Sequence, residues 1–265
     1  MRWRLYEVRD RFPHVCESDI SDYTDIKSDI MNKRRESGMK ITFLEHSGYA
    51  IEERDRALIF DFYEGTLPEF SKRVKAYVFA SHVHGDHFNE RIFEWESQYP
   101  DIHYILSDDI KVRGPEGKCT YIGPCRLIQI GEMEIQTLRS TDEGVAFLVK
   151  LWDKRIYHGG DLNWWHWEEE SKAYNEMMRR KYQYEIGKLE GEPIDAAFLP
   201  LDPRQEEQYA WGFDYFMRHT QTKHAFPMHM WGQYDICGKL LASPVSGPYR
   251  DRFMRVDAPG QEFLI

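Results

Sequence analysis

Cysteine is scarce in this chain, with 4 cysteines among 265 residues. No two of them form a Cys-x-x-Cys pair, and their spacing offers no obvious disulfide framework. We therefore expect free, buried thiols in a reducing compartment. The cysteines are Cys16, Cys119, Cys125 and Cys237.

Positive charge and long apolar runs are lacking as well. The 35 lysines and arginines are outnumbered by 45 aspartates and glutamates, which gives a formal net charge of -10. This balance argues against a nucleic-acid partner, because such binding needs a basic surface. No apolar run approaches the roughly 20 residues that cross a membrane, and charges rather than an apolar segment follow Met1. We therefore expect a soluble, cytoplasmic protein without a membrane partner.

Hydrophobic residues (42%) and aromatic residues (15%) are nonetheless sufficient for one sizeable core. No linker divides the chain, so residues 39–265 are predicted to form a single domain. Residues 1–38 are rich in charge and are predicted to form an N-terminal extension with a helix over residues 23–35. The extension could pack on the domain, mediate a homo-oligomer or partly close a cleft.

Chemistry is concentrated in residues 82–87, whose sequence is His-Val-His-Gly-Asp-His. The preceding segment, Lys75–Ala80, has the length and the apolar content of a buried strand. The following segment, Phe88–Trp95, predicts the start of an amphipathic helix. Side chains at the carboxyl end of a strand are rigidly positioned, so this turn is a favourable place for a site.

The residue types in this turn predict metal binding. Imidazole and carboxylate are the usual ligands of zinc, manganese and iron ions in proteins. His82 and His84 are two residues apart, so in an extended segment they point the same way and can share one ion. Gly85 lets the chain turn, so that Asp86 and His87 can reach a second ion. A polar loop whose histidines face solvent is the alternative interpretation.

The His-x-His-x-Asp-His motif after a strand resembles the metallo-β-lactamase superfamily. The surrounding residues narrow the resemblance to the branch of L-ascorbate-6-phosphate lactonases and related metal-dependent hydrolases, from about Met39 onward. The resemblance implies an α/β (α+β) fold of the four-layer αβ/βα sandwich type. It also implies a metal site at the sheet edges, between the two halves.

Further site residues are implied where the chain matches this family. His46 matches a histidine beside the site, where it would contact substrate or a ligand. Asp61 matches an aspartate that supports the metal-binding loop from behind, and a carboxylate in so apolar a strand needs a partner. Asp161, in a Gly-Gly-Asp turn, matches a carboxylate that bridges two ions. His229 matches the final ligand of the second ion.

The sequence departs from the family between residues 139 and 144, where most members carry a histidine as a ligand of the first metal. Asp142 or, less favourably, Glu143 could supply an oxygen there instead. An oxygen ligand would shift the preference from zinc towards manganese or iron. Alternatively, the first site is weak or vacant and only one ion binds.

Aromatic side chains follow the bridging aspartate. Trp164, Trp165 and His166 are costly to expose, so they either wall a substrate pocket or pack where a long helix begins. Arg204 follows the next buried strand. It would grip a phosphate or carboxylate of the substrate, or alternatively cap a neighbouring carbonyl.

These observations predict a metal-dependent hydrolase that uses one or two divalent ions, zinc first and manganese or iron next. The ions would activate a water that attacks an ester or lactone, a phosphoester or an amide of a small substrate, for which an anionic group is compatible. Asp86 would orient the nucleophile or pass its proton to the leaving group. Two other classes remain open: a di-iron oxidoreductase of the same fold, and a non-catalytic binding protein with a degenerate metal site.

Overall fold

The computed structural model describes residues 38–265. The helix predicted over residues 23–35 lies outside this range, as does the rest of the predicted extension up to residue 37. The boundary between extension and domain therefore stays a prediction.

Seven strands form the first sheet. They are β1 (Lys40–Glu45), β2 (Gly48–Glu53), β3 (Arg56–Phe60), β4 (Lys75–Ala80), β5 (Ile102–Ser107), β6 (Cys119–Ile122) and β13 (Glu262–Leu264). Their spatial order is β13-β1-β2-β3-β4-β5-β6. The strands from β3 to β6 pair in parallel, whereas β13, β1, β2 and β3 pair antiparallel. Strand β4 has the bounds that the sequence predicts.

Six strands form the second sheet. They are β7 (Leu127–Ile130), β8 (Met133–Arg139), β9 (Val145–Leu151), β10 (Lys154–His158), β11 (Pro193–Pro200) and β12 (Gln221–Met228). Their spatial order is β12-β11-β10-β9-β8-β7. The strands from β10 to β12 pair in parallel, so the turns that follow them leave the same edge of the sheet.

Three α-helices lie in the second half of the described chain, α1 (Lys172–Gly187), α2 (Trp211–His219) and α3 (Asp235–Ala242). The hydroxyl of Ser171 caps α1 by accepting a hydrogen bond from the Tyr174 backbone amide. Helix α1 contacts α2, which packs on β11 and β12. Helix α2 therefore covers part of the second sheet, and α1 packs beside it.

The helix predicted from Phe88 differs from the structure. The segment is a 3₁₀ helix, Glu90–Ser97, that begins after Asn89. Ile92 is its one fully buried side chain, so it lacks the apolar stripe that stabilises a longer α-helix. Together with Phe62 and Phe70, this segment packs on the outer face of the first sheet.

The two sheets pack face to face through aromatic side chains. Tyr49 of β2 contacts Phe198 of β11 with ring centroids 4.4 Å apart, and Phe79 of β4 contacts Phe147 of β9 at 5.3 Å. Tyr49 also donates a hydrogen bond to the Pro227 carbonyl at 2.6 Å. The four rings are fully buried, which stabilises the fold by about 1.5–3 kcal/mol each. This core fixes the spacing between the strand ends of the two sheets.

Within residues 38–265, no helix combines the length and the apolar character that crossing a membrane requires. The three cysteines of this range are free thiols. Cys237 is buried as expected, Cys119 is half-buried, and Cys125 is exposed, contrary to the expectation of buried thiols. Cys16 lies outside the described residues.

Gly144 fixes the turn between β8 and β9 against the loop that follows β4. The backbone amide of Val145 donates a hydrogen bond to the Ser81 carbonyl at 2.9 Å, which joins the two segments. Gly144 has a φ of +69°, and a Cβ there would overlap the Ser81 carbonyl oxygen and the Cβ of His82. This close approach requires glycine, because only glycine has neither the Cβ nor the steric penalty of positive φ.

Replacing Gly144 therefore tests how tightly this turn is fixed. We expect Gly144→Ala to lower the free energy of unfolding by at least about 3 kcal/mol, since strain at positive φ adds to a backbone clash. The matched control is Gly117→Ala, because Gly117 has a φ of +73° and a Cβ added there would meet open space. That control should cost only about 1–2 kcal/mol. Urea denaturation measures both free energies of unfolding. Equal losses in Gly144→Ala and Gly117→Ala would contradict the predicted clash.

Candidate metal centre

Residues from four separate turns meet at one end of the two sheets. His46 follows β1, residues 82–87 follow β4, Asp161 follows β10, and His229 follows β12. His46, Asp161 and His229 are buried, as are His82 and His87. Side chains far apart in sequence therefore converge on one place in the structure.

The carboxylate of Asp161 lies at the centre of this convergence. Its Oδ1 is 3.2 Å from His87 Nε2 and 3.5 Å from His229 Nε2, whereas its Oδ2 is 3.6 Å from His82 Nε2. The two oxygens therefore face different imidazoles. A carboxylate can offer one oxygen to each of two ions, whereas an imidazole nitrogen has a single lone pair.

The donor atoms form two groups, and within each group all donor atoms lie within 4.8 Å of one another. The first group consists of His82, His84 and Asp161, and the second consists of His46, Asp86, His87 and His229. Ligands held about 2.0–2.1 Å from a tetrahedral ion are separated by about 3.3 Å. The 3.4 Å between His46 Nε2 and Asp86 Oδ2 is close to that separation.

Four buried donor atoms of the centre have no hydrogen-bond partner among the described residues. They are Nε2 of His46, His82 and His87, and Oδ1 of Asp161. An unpaired buried polar atom costs about 1–3 kcal/mol, and native interiors rarely hold several side by side. A cation that accepts these lone pairs removes that cost. The residues present therefore fit a divalent metal ion.

Asp61 orients His87 from behind the centre. Its Oδ2 accepts hydrogen bonds from His87 Nδ1 at 2.7 Å and from the Ser81 hydroxyl at 2.6 Å. Because Nδ1 of His87 is the donor, Nε2 carries the lone pair towards the centre. Burial opposes ionisation of Asp61, but His158 and His87 hold the pKa of this carboxyl below its ordinary value. Asp61 therefore contacts the start and the end of the loop that carries residues 82–87, and its role in supporting a metal-binding loop stays a prediction.

Asp202 orients His229 in the same way, and sequence analysis missed it. Its Oδ2 accepts a hydrogen bond from His229 Nδ1 at 2.9 Å, and Arg204 Nε lies 3.0 Å from both carboxylate oxygens. Although burial opposes ionisation, the hydrogen bonds from His229 and Arg204 lower the pKa of Asp202 to about 2. The available signal was an aspartate directly after a buried strand, at the edge where the predicted ligands lie.

The turns that carry His46 and His229 are joined through their backbones. The His229 amide donates a hydrogen bond to the His46 carbonyl at 3.0 Å. His46 and His229 have φ values of 52° and 64°, a left-handed conformation that costs a non-glycine residue about 1–3 kcal/mol. This geometry places His46 inside the second group, with Nε2 near Asp86, and therefore in a position to bind metal directly.

The histidines of the centre differ in charge. Burial opposes protonation of His229, but Asp161 and Asp202 outweigh it and raise the pKa of His229 to about 9. Asp161 and Asp61 likewise raise the pKa of His87 against the effect of burial. Burial, with the neighbouring His229 and His87, lowers the pKa of His46 to about 3. His46 therefore offers a lone pair at neutral pH, whereas His229 retains a proton beside Asp161.

The loop without a histidine contributes no donor to either group. Asp142 is exposed and lines the cavity above the centre, and its backbone amide donates to the Ser140 hydroxyl at 3.1 Å. Glu143 Oε2 lies 3.7 Å from His84 Nε2. The structure therefore brings Glu143 rather than Asp142 against His84, and the predicted ligand role of Asp142 stays a prediction.

A cavity of about 270 Å³ opens above the centre. Its walls include the indoles of Trp165, Trp167 and Trp231, together with the side chains of Arg204 and Tyr174. The guanidinium carbon of Arg204 lies 4.4 Å from the centroid of the Trp231 ring. A small molecule can therefore reach the centre through a cavity whose wall is mainly aromatic and contains one arginine.

Trp164 and His166 do not reach this cavity. They line a separate depression with Trp211, whose ring centroid is 5.3 Å from that of Trp164 and 4.9 Å from that of His166. Alternate side chains of this non-helical segment face opposite sides, so Trp165 and Trp167 face the metal centre. Sequence reasoning found the aromatic segment but did not resolve which of its side chains face the centre.

Comparison with known proteins relates the chain to metal-dependent hydrolases. No protein-family model matches it. The chain is 29% identical over 230 residues to a UPF0173 metal-dependent hydrolase of Alkaliphilus metalliredigens, an alignment that covers 78% of this chain and 91% of that protein. A UPF0173 metal-dependent hydrolase of Pyrococcus furiosus is 27% identical over 179 residues, with coverage of 62% and 72%. Both relatives are named for the enzyme class that the sequence predicts.

Solved structures identify the fold. Igni18, a metallo hydrolase of Ignicoccus hospitalis, superposes with a TM-score of 0.59 at 16% identity, covering 86% of this chain and 99% of that one. The metallo-β-lactamase fold protein YhfI of Bacillus subtilis gives a TM-score of 0.59 at 12% identity with the same coverage. The chain therefore has the metallo-β-lactamase fold, and the predicted fold class is confirmed. Its placement in the lactonase branch stays a prediction.

The raised pKa values of His229 and His87 predict that metal binding releases protons. Below pH 9, His229 is protonated beside Asp161, and its proton must leave before Nε2 can bind an ion. The apparent affinity for Zn²⁺ should therefore rise about tenfold per pH unit between pH 7 and pH 9 for each proton displaced. Calorimetric titrations in buffers of different ionisation enthalpy measure the proton count. An affinity that does not change across this range would contradict the prediction.

Proposed function

We propose that this protein is a metal-dependent hydrolase whose catalytic centre is built around Asp161. The observation that carries the proposal is the group of buried, unpaired donor atoms at the base of an open cavity. A purely structural polar cluster would have its donors paired internally. The fold and the names of the curated relatives support the same class.

Zinc is the proposed ion for the second group, because the imidazoles of His46, His87 and His229 dominate it. The first group has one buried and one exposed histidine, and the exposed one, His84, lies against Glu143. Such a donor set binds an ion more weakly and tolerates manganese or iron better. Two ions are therefore proposed to bind with unequal affinity.

When bound, a divalent ion lowers the pKa of a water and polarises the carbonyl or phosphoryl oxygen of a substrate. Asp86, whose side chain is 30% exposed, lies between the second group and the cavity. We assign it the orientation of the attacking water and the acceptance of its proton. Asp61 and Asp202 hold His87 and His229 in the tautomer that presents Nε2.

The cavity wall favours a small substrate with an apolar part. The indoles of Trp165, Trp167 and Trp231 offer flat apolar contact and exclude water. Arg204 uses Nε and one terminal nitrogen on Asp202, and its other terminal nitrogen has no hydrogen-bond partner in the described part of the chain. That nitrogen is proposed to bind a substrate oxygen. An ester or lactone is the favoured bond, with phosphoester and amide as the alternatives to be tested.

Tyr174 is proposed as the hydrogen-bond donor to the leaving group. The indole N–H of Trp165 donates to the Asp161 carbonyl, and that of Trp231 donates to Asp202, so neither faces a substrate. The phenol of Tyr174 lines the cavity without a hydrogen-bond partner among residues 38–265. Burial and the nearby Glu170 and Asp142 raise its pKa, which keeps it protonated.

Removing one imidazole tests the metal-dependent reaction. We expect His229→Ala to lose the ion of the second group and to lower kcat/KM by at least about 10³-fold, because the ion supplies the nucleophile and the electrophile. The matched control is His224→Ala, since His224 lies on the strand that precedes His229 and its imidazole forms a hydrogen bond only to the Asp195 carbonyl within the described residues. Elemental analysis and a screen of lactones, phosphodiesters and acyl amides provide the measurements. Full turnover in the metal-stripped protein, or two irons with a coloured oxidised form, would overturn the proposal.

The role of Tyr174 has a separate test. We expect Tyr174→Phe to lower kcat by about 10- to 100-fold, with little change in KM and an unchanged metal content. The loss should shrink for substrates whose leaving group has a low pKa, because such groups need no proton. Tyr215→Phe is the control, since Tyr215 is also half-buried but does not line the cavity. Equal losses for good and poor leaving groups would exclude the role.

A further inference from the structure

One face of α1 extends beyond the metal cavity. Tyr174 and Met178 line that cavity, and Lys181 and Glu185 line a second cavity of about 380 Å³. These residues are spaced by four, three and four positions, so they form a single stripe along the helix. Asp142 lines both cavities. The two cavities therefore adjoin at Asp142 along one face of α1. We call the two together the groove, and the second cavity the distal chamber.

Two cations from different elements converge on the distal chamber. Arg139 is the last residue of β8, and Lys181 lies on α1. Neither side chain forms an ion pair within residues 38–265. The acid on the same wall, Glu185, is buried and already bound, because its Oε2 accepts hydrogen bonds from Lys188 Nζ at 2.6 Å and from the Arg139 amide at 3.1 Å.

The charge along the groove is therefore polarised. Asp142 gives the junction between the two parts a negative charge, whereas the distal end carries the free charges of Arg139 and Lys181. The chain as a whole carries a net charge of -10, so these two cations contrast with an acidic background. The hydroxyl of Thr141 is occupied at the floor, where it donates to the Asn163 carbonyl at 2.7 Å. An anion in this groove is repelled from the junction and attracted to the distal end.

We propose that the distal chamber binds the anionic end of an elongated substrate, a carboxylate or a phosphate monoester, whose scissile bond lies at the metal centre. This inference rests on the proposed hydrolase function and specifies its substrate class. Seven residues separate Tyr174 from Lys181, which places the cationic end about 10 Å further along the helix axis. The substrate is thus a chain with a terminal acid group, separated from the reacting bond by an apolar spacer that passes Met178.

Binding of phenyl phosphate to metal-free protein tests the chamber independently of catalysis. EDTA-treated protein is titrated by calorimetry at low ionic strength, so that no ion can hold the phosphate. We expect saturable binding to the unmodified chain. For Arg139→Gln and Lys181→Gln we expect a dissociation constant at least tenfold higher. Lys172→Gln is the matched control, because Lys172 lies on the same helix but lines the depression of Trp164. Phenyl phosphate binding that is equal in all variants, or that is absent from the unmodified chain, would overturn the proposal that the distal chamber binds an anion.

Hydrolysis of paired esters tests the substrate class. The p-nitrophenyl monoesters of dicarboxylic acids with increasing spacer length are compared with the same compounds capped as methyl esters. We expect kcat/KM to favour the free acid at least tenfold at the spacer length that reaches Lys181, and Lys181→Gln to remove this preference through KM. If calorimetry shows the chamber but no ester is cleaved, the hydrolase proposal fails and the anion site stands. If esters are cleaved without a preference for acid at any length, the substrate class is overturned and the hydrolase remains.

Discussion

The centre depends on one carboxylate shared by several imidazoles. Asp161 is buried, and an isolated ionised carboxylate in that position would be too costly to maintain. His87 and His229 compensate its charge and hold its pKa well below the ordinary value, against the effect of burial. The same carboxylate separates imidazoles that would otherwise repel one another when protonated. The buried carboxylate and the surrounding imidazoles therefore stabilise each other. A cation of suitable size could bind the oxygens of the one and the nitrogens of the other.

This arrangement joins the two halves of the sandwich. The first sheet supplies His87 together with Asp61, which binds its Nδ1, and the second sheet supplies His229 together with Asp202. The inter-sheet core sets the distance between these pairs and thereby positions the donor atoms. Because the ligands come from both sheets, an ion that binds here also resists their separation, and metal affinity contributes to the stability of the whole domain.

Sequence reasoning located the turns that converge at the centre but not the details that depend on packing. Residues 82–87, Asp161 and His229 carry local signals, a motif or a strand followed by a turn, and they do converge. Asp202 has no motif of its own, and only three-dimensional proximity reveals its contact with His229. The opposite orientation of Trp164 and Trp165 follows from a backbone path that composition does not specify. The expected α-helix after Phe88 is a 3₁₀ helix, because burial of one side chain cannot stabilise a longer element.

The unequal surroundings of the two donor groups bear on how such a centre can work. Three of the four donors of the second group are buried, and aspartates fix two of its imidazoles, so an ion bound there would be held by the more rigid set of donors. The first group includes His84, whose side chain is 44% exposed and whose acidic neighbour Glu143 is also exposed. An ion bound in the first group would lose weaker contacts on leaving than one in the second group, and it would lie nearer to solvent. The second group takes no donor from residues 139–144, so the missing histidine of that loop leaves its donor set intact.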